Sequence, residues 1–444
     1  MEQVESSNRI VNLPTRFTDD TTSSFYEISD LSQDQEPIVR VILSKIKEWI
    51  EVNRCDDVDK LNNFKSLRLT VRGMAGSGKS FIIKVVRTAL MRVFGCNDPI
   101  TIAAPTGSAA FNIGGETLHR IAEINVRNVN QTPSAARCKS MMKRFEHTVG
   151  IIIDERSLLS CDVLGATEKH VSKTMHGGTH ENEDWGGLPI VVLIGDDYQL
   201  PPPTIQKGAF HTVADGLHSS MINMDNVVSN GCLQFRNFAK ASMELTTSHR
   251  QDEDQSQFKG ILARVRECNT NNVDARVLAE DHHLRNKAPG VAKEISKGAL
   301  YLYSTRAKRD DHNLQKLCQE SSALNPVAIL KSKYCSNVGS KVFKNHFDVK
   351  NDVTPLLCRG CMVSIQGKNF NPKWGLYNGA LGTIIDLHFR VGSNPNCGDL
   401  PEYVSVEFRE YCGPVWDKSR PKVSTENSVK NTFFLHCTKR LDLV

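Results

Sequence analysis

The run Leu67-Arg-Leu-Thr-Val-Arg-Gly73-Met-Ala-Gly-Ser-Gly-Lys79-Ser80 passes from a strand into a glycine-rich turn and then into a helix. Leu67, Leu69 and Val71 alternate with polar residues, the two-residue period of a strand. Gly73 to Ser80 matches G-x-x-x-x-G-K-[ST] in full. Beyond it Ile82, Val86, Ala89, Leu90 and Val93 recur on one helical face. Strand, turn and helix in this order make a P-loop, in which backbone N–H groups turn onto phosphate oxygens and the helix N-terminus adds positive potential. The expected nucleotide cradle is therefore Gly73, Ala75, Gly76, Ser77, Gly78, Lys79 and Ser80. Lys79 offers a point charge to the β- and γ-phosphates, and Ser80 a hydroxyl to Mg²⁺.

A P-loop needs an acid on a neighbouring strand. Ile151-Ile-Ile-Asp154-Glu155 supplies two, at the end of a short apolar run. Asp154 suits the Mg²⁺ shell, and Glu155 can polarise the attacking water. The pair and the P-loop together point to hydrolysis of a nucleoside triphosphate. Ile100–Ala104, Val149–Ile153 and Ile190–Ile194 read as further strands, separated by helical stretches, so a parallel sheet covered on both faces is expected. Upstream, Ile38, Ile42, Ile46, Trp49 and Ile50 fall on one helical face.

The chain divides by texture. Residues 1–29 are polar and read as a disordered tail. Residues 30–242 form a first α/β lobe, with Met175 to Trp185 as a surface loop between two of its strands. Residues 243–360 form an incomplete second lobe, with a strand over Ala299–Ser304 and a helix over Ala307–Glu320. Residues 361–444 turn to short strands broken by Gly and Asn, over Met362–Gln366, Leu381–Leu387 and Tyr403–Phe408, and suggest a small β module.

Bulk composition excludes more than it selects. A length of 444 residues suits about two to four domains at roughly 150 residues each. A net charge of +5 is compatible with a nucleic-acid partner without arguing for one. No apolar run is long enough to cross a bilayer, and the opening residues do not resemble a secretory leader. The thirteen cysteines lack a secreted-scaffold pattern, so thiols in a reducing, intracellular setting are expected. The C-x-x-C pair of Cys358 and Cys361 has no second pair at zinc-ribbon spacing, which favours two ordinary thiols.

Four further segments narrow the class. They are Ala103-Ala-Pro-Thr-Gly-Ser-Ala-Ala110 continuing to Gly115-Glu-Thr117-Leu-His119, Gly195-Asp-Asp-Tyr-Gln199-Leu-Pro-Pro202, Ser248-His-Arg250-Gln251, and Tyr377-Asn378-Gly379-Ala-Leu-Gly382. In this order they resemble the Pif family of DNA helicases (petite integration frequency), relatives of RecD in superfamily 1, from about Leu31 to Leu387. Asp184-Trp-Gly-Gly187 also resembles that family's own insertion.

The resemblance implies an α/β P-loop NTPase of two RecA-like lobes with parallel sheets, plus a small SH3-like β module. It implies that Gln35, in Leu31-Ser-Gln-Asp-Gln35, reads adenine and makes ATP the nucleotide. Thr106 and His119 would contact single-stranded DNA, Gln199 would couple the γ-phosphate to the DNA groove, and Arg250 would be an arginine finger from the second lobe. The implied activity is an ATP-dependent DNA helicase, monomeric when free. It would move 5′ to 3′ on single strands and unwind duplexes with a 5′ tail, in repair, recombination, replication or telomere maintenance. In a eukaryote the nucleus would come ahead of the mitochondrion. Lys143, Arg144, Arg306, Lys308 and Arg309 are candidate phosphate contacts. The family's last motif, T-x-H-K-x-Q-G, is not reached before Val444, so a second lobe without its final strand and helix is expected. Alternatives are a DNA-stimulated ATP switch without unwinding, an ATPase with an RNA track, and the helicase segment of a rolling-circle transposon.

Overall fold

The computed structural model describes residues 26–54, 58–96, 98–126, 128–175, 183–202, 227–250, 255–281, 283–329, 356–365, 369–393, 399, 401–413 and 432–436. They fall into two compact units, Met1–Thr270 and Asn271–Val444. The expected tail lies outside the described residues up to residue 25. Its last residues do not behave as a tail: Tyr26 packs edge-on against Phe81 with ring centroids 5.5 Å apart, and Ile28–Asp30 form a 3₁₀ turn.

The first unit runs through α1 (Glu36–Arg54), α2 (Val58–Asn63), β1 (Leu67–Gly73), α3 (Lys79–Phe94), β2 (Ile100–Ala104), α4 (Gly107–Asn112), β3 (Glu116–Thr117), α5 (Leu118–Ile121), α6 (Ala135–Phe145), β4 (Gly150–Ile153), α7 (Cys161–Thr174), β5 (Ile190–Gly195), α8 (Val227–Ala239), β6 (Ser242–Leu245) and α9 (Ser256–Arg266). Its six strands lie in the order β3-β2-β4-β5-β1-β6, every pairing parallel. Each position of β4 and β5 is buried, as a sheet with both faces covered requires. Successive residues serve opposite faces. Ile151, Ile153, Val191 and Leu193 pack with Leu164, Val171 and Phe238, while Ile152, Val192 and Ile194 pack with Ile38, Ile42, Ile82, Val86 and Leu90. On α3 the buried face ends at Phe94, and Val93 is 44% exposed. The helical stripe passes one residue beyond the position expected for it.

Trp185 is the larger departure. It was expected in a surface loop but is fully buried, under α7 and α8. Its Nε1 donates to Gln234 Oε1 at 3.0 Å, its backbone N–H donates to Glu168 Oε1 at 3.1 Å, and its ring meets Phe238 edge-on at 6.0 Å. The large apolar ring outweighs the polar residues around it in the sequence. Beside it α7 and α8 approach so closely that a Cβ on Gly165 or Gly231 would collide with the opposite backbone.

The boundary expected at residues 242/243 moves to 270/271. Ser242–Leu245 pair in parallel with Thr70–Gly73, so the backbone hydrogen bonds of β6 hold it in the first sheet.

The second unit contains α10 (Asn272–Arg276), α11 (Pro289–Gly298), α12 (Arg306–Glu320), an antiparallel pair β7 (Ala328–Ile329) and β8 (Leu356–Leu357), and an antiparallel sheet in the order β12-β11-β10-β9. These last strands are β9 (Met362–Ser364), β10 (Leu381–His388), β11 (Tyr403–Phe408) and β12 (Thr432–His436). Val363, Ile384, Val404, Val406 and Phe408 are buried residues of that sheet. The expected strand over 299–304 does not form: the segment pairs with no strand among the described residues, and Leu302 is 87% exposed. No parallel pairing occurs among the described residues of this unit. No helix is long and apolar enough to cross a membrane among the described residues.

Replacing Trp185 by Ala is expected to destabilise the first unit by about 3–5 kcal/mol, the range for deleting a buried large aromatic side chain. Guanidinium unfolding followed by the far-ultraviolet signal measures it.

Candidate active site

Because all six strands of the first unit run the same way, their C-terminal ends form one edge, the usual position for ligands in open α/β sheets. Along it lie Thr106 beyond β2, Asp154 and Glu155 beyond β4, Asp196 and Gln199 beyond β5, the P-loop beyond β1, and Arg250 beyond β6. The tips are level: Ile153 is opposite Leu193, Arg72 opposite Gly195, and Gly73 opposite Leu245. β5 stands between β1 and β4, so the acids are set off from the P-loop strand by about 10 Å, two strand spacings. That gap suits a terminal phosphate with a cation and water beside it.

In the P-loop, Gly76 and Gly78 both hold φ of +83°, which favours glycine, and Gly78 is the residue before α3. Lys79 folds back over the turn, its Nζ donating to Gly73 O at 2.8 Å and Met74 O at 2.9 Å. Burial pushes its ammonium below the usual lysine range, while Asp154, Asp196 and Glu155 pull it back up. Ser80 is exposed in the first turn of α3. Asp154 is 5% exposed, and burial, with Glu155 beside it, raises its carboxyl to about 6 against the Glu155 backbone hydrogen bond at 2.9 Å and the Lys79 charge. An acid held so far from water favours a nearby cation. Asp154 and the Ser80 hydroxyl fit Mg²⁺, which keeps most of its waters and takes few protein ligands. Glu155 itself sits in the left-handed region at φ +55°, turning the chain sharply after the strand.

Asp196 is buried and tightly held. Arg266 Nη1, from the end of α9, lies 2.6 Å from both its oxygens, and Gln199 Nε2 donates to Asp196 Oδ2 at 3.4 Å. The Arg266 guanidinium also covers the Tyr198 ring at 4.3 Å, leaving that tyrosine 73% exposed. Arg156 pairs with Asp197 at 2.9 Å below the same loop. Gln199 is thus tied to a carboxylate that is itself anchored by an arginine.

Gln35 is 3% exposed, with its amide pinned at both ends. Oε1 accepts from Ser32 N at 3.1 Å, and Nε2 donates to Ser77 O at 3.2 Å. Arg250 was expected to come from the second lobe. It belongs to the first unit, because β6 keeps its chain in the first sheet, and its Cβ lies 2.5 Å from where a Cβ on Gly76 would stand.

Thr106 caps α4, its Oγ1 accepting from Ala109 N at 3.3 Å. His119 sits half-buried on α5, and burial lowers its pKa against the pull of Asp162. Arg144 is committed to Arg120 O and Ile121 O at 2.7 and 3.0 Å, and Arg309 to Asp310 at 2.6 Å. The Cys358 N–H points to Cys361 Sγ at 3.5 Å, and burial raises both thiols, Cys361 to about 11. No group of three metal-ligating side chains occurs among the described residues.

A family model described as PIF1-like helicase matches residues 54–276, half of the chain. The chain belongs to the PIF1-like helicase family. It is similar to the ATP-dependent DNA helicase PIF1 of Danio rerio, 26% identical over 348 residues, which is 76% of this chain and 47% of that protein. The chain thus spans about half the length of that relative. It is also similar in fold to the Pif1 helicase of Candida albicans, with a TM-score of 0.54, 24% identity, and coverage of 85% of this chain and 74% of that one. A Bacteroides Pif1 bound to single-stranded DNA follows, with a TM-score of 0.53, 20% identity, and coverage of 86% and 72%.

In this family member, sequence reasoning left Asp34, Asp196 and Arg266 without roles. Asp196 stood inside a quoted motif, whereas Arg266 carries no local signal and is recognised only by its contact. Arg266→Met strands the Asp196 carboxylate in a buried setting and is expected to cost about 3 kcal/mol. The double change Arg266→Met with Asp196→Leu should cost clearly less, as chemical unfolding of both variants would show.

Proposed function

We propose that this chain is the motor part of an ATP-dependent DNA helicase that moves 5′ to 3′ on single-stranded DNA and separates duplexes carrying a 5′ tail. The observation that carries the reading is the shared edge of the sheet, where a phosphate cradle, the buried Asp154 with the half-buried Glu155, Gln199 and Arg250 stand on neighbouring strand tips. Membership of the PIF1-like helicase family supports it, as do relatives named ATP-dependent DNA helicase.

ATP is the substrate. Backbone N–H groups of Gly73 to Ser80 hold its phosphates, and Lys79 exchanges its two carbonyl contacts for β- and γ-oxygens. Gln35 retains one spare N–H and one spare lone pair, the complement of the N7 acceptor and N6 donor of adenine. Ser80 and Asp154 would hold Mg²⁺, which would supply charge neutralisation at the phosphates. Glu155 accepts the proton of the attacking water. Gln199 positions that water or the γ-phosphate, and Arg250 stabilises the charge of the transferring group. Thr106 and His119, on the adjoining tips, contact the DNA strand, whose phosphates make binding salt-sensitive. The processes served are DNA repair, recombination, replication or telomere maintenance, by a monomer within the cell, in the nucleus if the cell is eukaryotic.

A second reading is a DNA-stimulated ATPase that grips single strands without separating duplexes. The antiparallel pairing throughout the described strands of the second unit favours it.

Turnover measured with single-stranded DNA, with RNA and with neither, beside unwinding of substrates tailed at either end, separates the readings. Turnover indifferent to nucleic acid removes the motor; DNA-dependent turnover without strand separation selects the second reading. Lys79→Ala is expected to reduce turnover by at least about 10²-fold, the loss typical of one preorganised charge-stabilising donor. Thr106→Ala should weaken DNA stimulation and leave nucleotide affinity intact, at a stability cost of about 1 kcal/mol for the lost cap. Loss of ATP affinity in that variant would disprove the DNA role.

A further inference from the structure

Asp34 joins two parts of the site that are remote in the chain. Its Oδ2 accepts from the backbone N–H groups of Thr246 and Thr247, both at 3.0 Å, and Ser32 Oγ donates to its Oδ1 at 2.6 Å. Partial burial opposes ionisation here, but the hydrogen bonds from Ser32, Thr247 and Thr246 outweigh it and bring the carboxyl down to about 2. Thr246 and Thr247 open the segment that leads from β6 to Arg250. That segment also rests on the P-loop: His249 N donates to Gly76 O at 2.8 Å, and only the missing Cβ of Gly76 lets Arg250 Cβ come so near. From the other side Gln35, the next residue after Asp34, bonds Ser77 O and fills the space beside Gly78. The dipeptide Asp34-Gln35 therefore grips the P-loop with one side chain and the Arg250 segment with the other.

We propose that Asp34 is a positioning residue that holds Arg250 against the P-loop, linking occupancy of the base site at Gln35 to placement of the guanidinium that serves phosphoryl transfer. The inference rests on the ATP-hydrolysis reading above. A carboxylate at the start of α1 also complements the helix dipole, a purely structural role. That role predicts lower stability with no preference between catalytic steps, whereas positioning predicts an effect that passes through Arg250.

The test compares the wild type with Asp34→Ala, Asp34→Asn, Arg250→Ala and the double variant Asp34→Ala with Arg250→Ala. Single-turnover ATP hydrolysis with single-stranded DNA is measured beside the affinity for a fluorescent ADP. Asp34→Ala is expected to slow hydrolysis by about 10²-fold, the usual consequence of a roughly 1 Å misplacement of a catalytic group. ADP affinity should change by less than about threefold. Asp34→Asn should recover most of the rate, since its side-chain oxygen still accepts both amides. On the Arg250→Ala background, Asp34→Ala should matter less than about twofold, as expected for residues acting as one unit. Amide exchange at Thr246 and Thr247 should accelerate in Asp34→Ala and stay slow in Asp34→Asn. A full rate in Asp34→Ala, an additive loss in the double variant, or an equal fall in ADP affinity and rate would overturn the proposal. Wild-type protein without any turnover would instead bring down the hydrolysis reading, and this proposal with it.

Discussion

Lys79 and Asp154 carry opposite charges at the same sheet edge, and burial drives each toward its neutral form. Each partly sustains the charge of the other, but neither gains a direct partner: Lys79 spends its hydrogen bonds on two carbonyls, and Asp154 accepts one from the next residue. Two incompletely compensated charges in a dry setting are costly. The neighbouring loops have to be arranged so that an anion and a cation can relieve that cost.

Sheet order supplies the arrangement. With β5 between β1 and β4, the acids cannot collapse onto the P-loop, and the tip of β5 is inserted into the gap. Asp196 at that tip is paired directly with Arg266, not with Lys79, which stays on the Gly73 and Met74 carbonyls. The division of labour among the carboxylates follows from this. Asp196 is bonded to both Gln199 and Arg266, whereas Asp154 has no cationic partner in contact among the described residues and retains a raised pKa.

The two glycines at φ +83° serve packing as well as the turn of the P-loop. Gln35 presses on one side of the P-loop and the Arg250 segment on the other, so any side chain at Gly76 or Gly78 would push these walls apart. The second unit is built differently, from largely exposed helices and an antiparallel sheet with a register shift between Ile384 and Asp386.

Much of this was legible in the order of residues. Gly73 to Ser80, Asp154-Glu155 and the strand runs could be placed because phosphate binding uses contiguous backbone N–H groups, and because a parallel strand declares itself by its own apolar run. Other features were beyond such reading. Trp185 enters the core through Gln234, 49 residues away, Arg266 meets Asp196 across 70, and Asp34 meets Thr246 across 212. Ala299–Ser304 has the composition of a strand but no paired neighbour among the described residues, and Ser242–Leu245 joined the first sheet through bonds to β1. Local periodicity and contiguous motifs thus established the strand–turn–helix of the P-loop and the elements around it. Chain folding alone settled which distant charge neutralises which, because a hydrogen bond or an ion pair depends on separation in space and leaves no mark on the residues that lie between.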